Sequence, residues 1–217
     1  MNILLISASP RGERSQTLLL AREIARGCGG DCVVEEVSLG RSRIEFCRHC
    51  ELCHRKVLEC PIKDDVPEII RKMLAADGLI LAGPNYINQV TASMKALFDR
   101  SSHFIHCLRL LGKYVVGAVT SGSGYDVPVL DYTRHYANVC GARYSGGVSA
   151  AAHKVKETLP EAYALGERLV RDISGKTDYP DQRQFIEEHK KHFGRLILMR
   201  KDDWTGEYDY WKAKGWL

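Results

Sequence analysis

Hydrophobic residues fall into two rhythms along this chain. Short apolar runs recur at Asn2–Ile6, Cys32–Leu39, Gly78–Ala82, Tyr114–Val119 and, with glycine interruptions, Ala142–Val148. Such runs predict strands, and the first has the composition of a strand buried on both faces. Between them, apolar residues keep helical spacing. One helix carries Leu18, Leu19, Leu20, Ala21, Ile24 and Ala25 and is stopped by Gly27, Gly29 and Gly30. A second starts at Asp64-Asp65-Val66-Pro67-Glu68, with an Asp cap, Pro in the first turn and Glu three residues after Asp65. Further helices carry Met94, Leu97 and Phe98, then Phe104–Leu111, then Val127–Cys140. A last one is expected to open at Thr158-Leu159-Pro160-Glu161, with Ala162, Leu165, Leu169 and Ile173 inside. Five strands alternating with amphipathic helices predict an α/β fold, a doubly wound parallel sheet.

In such a sheet, ligands bind beyond the C-terminal ends of the strands. Three polar loops fall there: Ser9–Thr17, Gly83–Gln89 and Thr120–Tyr125. After Ser174 the rhythm breaks. Residues 176–184 are polar, Phe185–Phe193 reads as a charged helix, and Trp204, Trp211 and Trp216 place every tryptophan in a short tail. Residues 1–174 are expected to form one domain. Residues 175–217 are expected to form an extension that docks on the domain or on a partner subunit, being too short to bury a core alone.

Composition adds exclusions. Of 217 residues, 45% are hydrophobic and 27% charged, the balance of a soluble globule with a sizeable core. Net charge is +4 with no block of like charge, so nucleic-acid binding has no footprint. No apolar run approaches a membrane span. Met1-Asn2 leads straight into a strand, so no signal peptide and a cytoplasmic location are expected.

Cysteine changes the picture most. Cys47, Cys50, Cys53 and Cys60 lie within fourteen residues as C-x2-C-x2-C-x6-C, with Pro61 directly after the last. One compact loop can converge them on a point. Iron–sulfur clusters are held by four-cysteine sets with C-x2-C-x2-C runs, and the ferredoxin run also closes in Cys-Pro. Zinc takes four cysteines too, usually as two separated pairs; His49 and His54 inside the run could complete such a site, but more often such residues are solvated in a loop. Disulfides are rare in a reducing compartment. The spacing points first to a [4Fe–4S] cluster and leaves zinc, or no metal, as alternatives. Cys28, Cys32, Cys107 and Cys140 are scattered, as buried small apolar residues are.

The three loops suit a flat phosphorylated ligand. Ser9, Arg11, Ser15 and Thr17 gather hydroxyls, a guanidinium and a helix start on one phosphate-sized spot. The stretch contains neither G-x4-G-K-[ST] nor G-x-G-x-x-G, so a nucleoside triphosphate and a Rossmann-bound dinucleotide are disfavoured. Pro84-Asn85-Tyr86 offers a rigid turn, an amide and an aromatic face, and Thr120–Gly124 lets backbone approach a planar ring. Taken alone, each loop reads equally as an ordinary connection.

Together the residues carry a family likeness. Ser-Pro-Arg-x-x-x-Ser-x-Thr after the first strand, Asp77-Gly78-Leu79-Ile80 into Gly83-Pro84-Asn85-Tyr86, and Met94–Arg100 resemble the NAD(P)H-dependent FMN reductase branch of flavodoxin-like proteins. The cysteine run between the second strand and Asp64-Asp65 narrows the resemblance to the iron–sulfur flavoproteins. Over residues 1–174, that resemblance implies a flavodoxin-like three-layer α/β/α fold with five parallel strands and a cysteine-loop insertion after strand two. It implies FMN with its phosphate at Ser9, Arg11, Ser15, Gln16 and Thr17. The isoalloxazine would lie on Pro84, Asn85, Tyr86 and Ile87 and on Ser121–Gly124, which includes Ser121, Gly122 and Gly124. It also implies a [4Fe–4S] cluster on Cys47, Cys50, Cys53 and Cys60, and a homodimer or tetramer.

The expected function is an oxidoreductase passing electrons between FMN and the cluster, with ferredoxin or NAD(P)H as redox partner and no acid–base residue required. One alternative is an NAD(P)H-dependent FMN or quinone reductase with structural or vestigial cysteines. Another is a zinc-stabilised binding module. The aromatic tail, with Met94–Phe98 and Phe104–Leu111, is expected at a subunit interface.

Overall fold

A computed structural model describes residues 1–122 and 124–217. Among them the chain forms five strands and nine α-helices. In order these are β1 (Asn2–Ser7), α1 (Gln16–Gly27), β2 (Val33–Ser38), α2 (Leu52–Arg55), α3 (Val66–Ala75), β3 (Gly78–Pro84), α4 (Ala92–Arg100), α5 (Ser102–Cys107), β4 (Tyr114–Ser121), α6 (Val127–Val139), β5 (Arg143–Ala151), α7 (Val155–Gly175), α8 (Pro180–Met199) and α9 (Thr205–Ala213). The strands form one parallel sheet in the order β2-β1-β3-β4-β5. This is the flavodoxin-like, doubly wound arrangement expected. No helix among the described residues is long and apolar enough to cross a membrane.

Successive strand residues face opposite sides, so each central strand feeds two cores. On one face Leu4, Ile6, Leu79, Leu81 and Val115 pack against Ile69, Met73, Leu97 and Tyr136 from α3, α4 and α6. On the other, Ile3, Leu5, Ile80 and Val116 pack against Leu20, Ile24, Leu165 and Leu169 from α1 and α7. Each such side chain contributes roughly 1.5–3 kcal/mol on burial. β2 is an edge strand: Val33 and Val34 face solvent, and Val37 is buried.

Three expectations shift for physical reasons. Gly27 does not stop α1. It is the last helical residue, and a Cβ there would stand 2.0 Å from the Tyr163 carbonyl oxygen, so it is small to let α7 approach. Gly29, at φ 83°, makes the turn instead. α7 begins at Val155, five residues before Pro160, because Val155 is buried against the second core; that burial offsets the hydrogen bond Pro160 cannot donate. Asp65 stands at the cap position of α3 without capping it. Its carboxylate accepts from the Arg43 amide (2.7 Å), while Asp64 takes the Val66 amide (3.2 Å).

The tail folds back on its own chain. Trp204 and Trp211 bury against Ile186, Phe193 and Ile197 of α8 and Cys107 and Leu108 at the end of α5. The indole N–H of Trp211 donates to the His106 carbonyl (3.1 Å).

Candidate functional site

The parallel register sets the C-terminal ends of β1, β3 and β4 side by side. The loops beyond them enclose a pocket of about 200 Å³. Ser9, Arg11, Ser15, Gln16 and Thr17 line it from the first loop, Pro84, Asn85 and Tyr86 from the second, and Ser121 and Gly122 from the third. Thr120, from the third loop, and Ala152, not anticipated from the sequence, complete the wall. Ser15 caps α1 by accepting from the Leu18 amide (3.0 Å). The Gln16 and Thr17 amides at the helix start have no partner within the helix. With Arg11 they form the positive end of a twelve-residue helix, a receptor for an anion.

The second and third loops are tied together. The Asn85 side-chain NH2 donates to the Tyr125 carbonyl (2.6 Å) and to Asp126 Oδ1 (3.2 Å), and its backbone N–H to the Thr120 carbonyl (2.8 Å). Its donors are thus spent on shaping the pocket, while Oδ1 is buried without a partner. Ile87 and Gly124, also expected as contacts, do not line the pocket. Ile87 occupies the tip of a two-residue turn whose ends, Tyr86 and Gln89, exchange backbone hydrogen bonds (3.0 and 3.1 Å). It has φ 54° and is 99% exposed. Gly124, at φ 79°, donates to Ser121 Oγ (2.6 Å). Ser123, part of the expected loop, lies outside the described residues.

A second cavity, of about 50 Å³, lies in the insertion after β2, at the same edge of the sheet. Cys47, Cys50, Cys53 and Cys60 all line it. The loop wraps tightly: His49, Glu51 and Leu58 adopt positive φ, and α2 is a single turn carrying Cys53. Burial pushes the Cys53 thiol up to about 11, so it is no free nucleophile at neutral pH.

Two long-range ties close this loop. Arg100, at the end of α4, donates Nη1 (2.7 Å) and Nη2 (3.0 Å) to the two oxygens of Asp64, and both side chains are buried. Nη1 also reaches the Glu45 carbonyl (2.8 Å), and Nη2 reaches Cys60 Sγ (3.3 Å). Burial alone would raise the Asp64 pKa. The hydrogen bonds from Arg100 and from the Glu45 and Val66 amides outweigh it, and the net shift is downward. The other tie comes from the tail. Glu207 on α9 binds His54 Nδ1 of α2 (2.7 Å) and His106 Nδ1 of α5 (3.0 Å), one per oxygen.

Among the described residues, His54, His106 and Glu207 form a set of three donors gathered closely enough for a single ion, within 4.8 Å. The two imidazoles are stacked, 4.9 Å apart and 16° from parallel. Near-parallel rings aim their nitrogens along parallel lines, which match the two oxygens of one carboxylate better than one ion. The trio is a clamp between the tail and the cysteine loop. Gly206 fits it closely, since a Cβ there would stand 2.4 Å from the Arg55 carbonyl oxygen.

Arg100, His103, Glu207 and Asp126 were not singled out from the sequence as site residues. Arg100 closes the Met94–Arg100 motif and carried a signal there; Glu207, 153 residues from its partner His54, carried none.

Residues 1–157 match the family model described as NADPH-dependent FMN reductase. A protein of Archaeoglobus fulgidus described as an iron-sulfur flavoprotein is 29% identical over 98% of both chains. An iron-sulfur flavoprotein of Methanocaldococcus jannaschii is 38% identical over 57% of this chain and 63% of its own. A solved flavone reductase superposes with a TM-score of 0.63 at 18% identity, covering 80% of this chain and 63% of that one, a likeness of fold.

Proposed function

We infer, from the premise that this chain belongs to the NADPH-dependent FMN reductase family and is a flavin-dependent oxidoreductase, that it passes electrons between FMN and a [4Fe–4S] cluster on Cys47, Cys50, Cys53 and Cys60. The observation that carries this reading is the convergence of all four cysteines on one cavity at the sheet edge that also holds the phosphate-loop pocket. FMN, when bound, exchanges two electrons or one, and an iron–sulfur cluster exchanges one.

The residues present fit both groups. Arg11, Ser9 and the amides of Gln16 and Thr17 would hold the phosphate. Gly122 leaves its side of the pocket open: a Cβ there would meet nothing within 4 Å, so a planar ring can lie against backbone. The unpartnered Asn85 Oδ1 can accept from a ring N–H. For the metal, zinc usually takes four cysteines as two separated pairs. The three-cysteine run closing in Cys60-Pro61 suits an iron–sulfur cluster instead. The names of the archaeal relatives favour the same group.

The chain's contribution is position. The Arg100–Asp64 pair and the Glu207 clamp close the cysteine loop from two sides. Stopped-flow mixing under nitrogen identifies the donor: fast flavin bleaching by reduced ferredoxin and slow bleaching by NADPH support an electron carrier, whereas fast reduction by NADPH alone makes the protein a reductase. We further propose a cytoplasmic homodimer or tetramer. Tyr86, Ile87, Tyr125 and Val127 expose apolar surface on the pocket loops. A mass near 24.4 kDa by light scattering of the loaded protein contradicts that assembly.

A further inference from the structure

The cysteine cavity contains a histidine that loop closure does not explain. His103 on α5 is 2% exposed, lines the cavity beside the four cysteines, and has no hydrogen-bond partner at either ring nitrogen. Buried polar atoms are seldom left so. Burial, with the positive charge of Arg109 next, pushes its pKa down to about 4, so the ring is neutral: one nitrogen carries a proton to donate. The neighbouring imidazoles of His54 and His106 spend their Nδ1 atoms on Glu207. The His103 ring packs edge-on against Phe104 (5.0 Å, 83°), a contact that uses no ring nitrogen. Arg100, three residues earlier, is committed to Asp64, Glu45 and Cys60. The cavity bounded by the thiols is what remains for the His103 N–H.

We propose that His103 is a positioning residue for the metal centre, donating its ring N–H to the cluster or to one of its cysteine thiolates and thereby raising the cluster's reduction potential. The proposal rests on the cluster reading given above. Reduction adds one electron from the external reductant, and no covalent bond is made or broken. A donor stabilises the more negative, reduced form more than the oxidised form, so deleting it lowers the potential. A hydrogen bond to a charged acceptor shifts such an equilibrium by about tenfold, which is ~59 mV for a one-electron couple.

The test is an anaerobic redox titration of the loaded protein, with the cluster followed by EPR and the flavin by absorbance in the same samples. Wild type is compared with His103→Phe, which fills the space without a donor, and His103→Gln, which keeps an N–H. Iron is counted first. The cluster potential should fall by the tenfold equivalent in His103→Phe and recover most of that in His103→Gln, while the flavin potential stays put. ENDOR of the reduced wild type labelled with ¹⁵N-histidine needs no variant and should show histidine nitrogen and an exchangeable proton coupled to the cluster. Four irons per chain with coincident cluster potentials in all three proteins, or no histidine coupling, overturns this proposal alone. Absence of iron from the wild type overturns the cluster reading and this proposal with it.

Discussion

Glu207→Gln tests the tie between the tail and the cysteine loop. The Glu207 carboxylate is 0% exposed, and each oxygen accepts from one imidazole. A hydrogen bond involving a charged group contributes about 1.5–3 kcal/mol. Glutamine keeps one acceptor and turns an NH2 towards the other imidazole, so one bond is lost, and relief of the buried charge offsets part of the loss. The expected net cost is about 2 kcal/mol. All three tryptophans lie in the tail, and the Trp204 ring sits 4.8 and 4.9 Å from the two imidazoles, so intrinsic fluorescence reports on this region. Urea unfolding of the chain without cofactors is followed by fluorescence and far-UV circular dichroism. With a slope of about 2 kcal/mol/M, the fluorescence midpoint should drop by about 1 M. Glu207→Ala, which removes both acceptors, should drop it further. A fluorescence midpoint unchanged in Glu207→Gln would refute the clamp.

Gly166→Ala should destabilise the whole domain by about 2 kcal/mol, since the new Cβ would stand 2.0 Å from the Ile24 carbonyl oxygen and force α1 from α7; thermal unfolding by circular dichroism checks it. The lowered pKa of Asp64 means that its ionised form stabilises the fold above the ordinary carboxylate pKa of 3.8, and that this contribution is lost as pH falls through the lower folded value. Hydrogen exchange at the Glu45 and Val66 amides, both bonded to Asp64, should therefore stay protected near pH 4 and open below it, and an Asp64→Asn chain should lack this transition. Arg11→Gln should weaken FMN binding by about tenfold or more through loss of one charge-assisted contact, read by fluorescence titration of the flavin-free chain.

Local signals were legible from residue order. The three inner strands β1, β3 and β4 read as unbroken apolar runs because both of their faces are buried, and Ser15 stands in the polar loop where a helix start was expected and does cap it. The end of α1 and the start of α7 were not legible in the same way. Gly27 looks like a stop signal on its own helix, and only the approach of Tyr163 on α7 reveals a packing glycine. Pro160 looks like a first-turn residue until the burial of Val155 extends the helix backwards. In the candidate site, ten of the twelve residues expected around the flavin line one pocket, because loops at adjacent parallel strand ends must meet there. Ile87 falls outside because a tight turn throws it into solvent. The cysteine spacing marked the second cavity, but nothing local marks what encloses it. Arg100 with Asp64 and Glu207 with His54 are separated by 36 and 153 residues, and such pairs form only when the helices dock.

The most direct test of two redox centres at one sheet edge is the iron, acid-labile sulfide and FMN content of protein prepared without oxygen. About four irons, four sulfides and one FMN per chain are expected. Flavin without iron after anaerobic reconstitution, or zinc in its place, would contradict a cluster on Cys47, Cys50, Cys53 and Cys60.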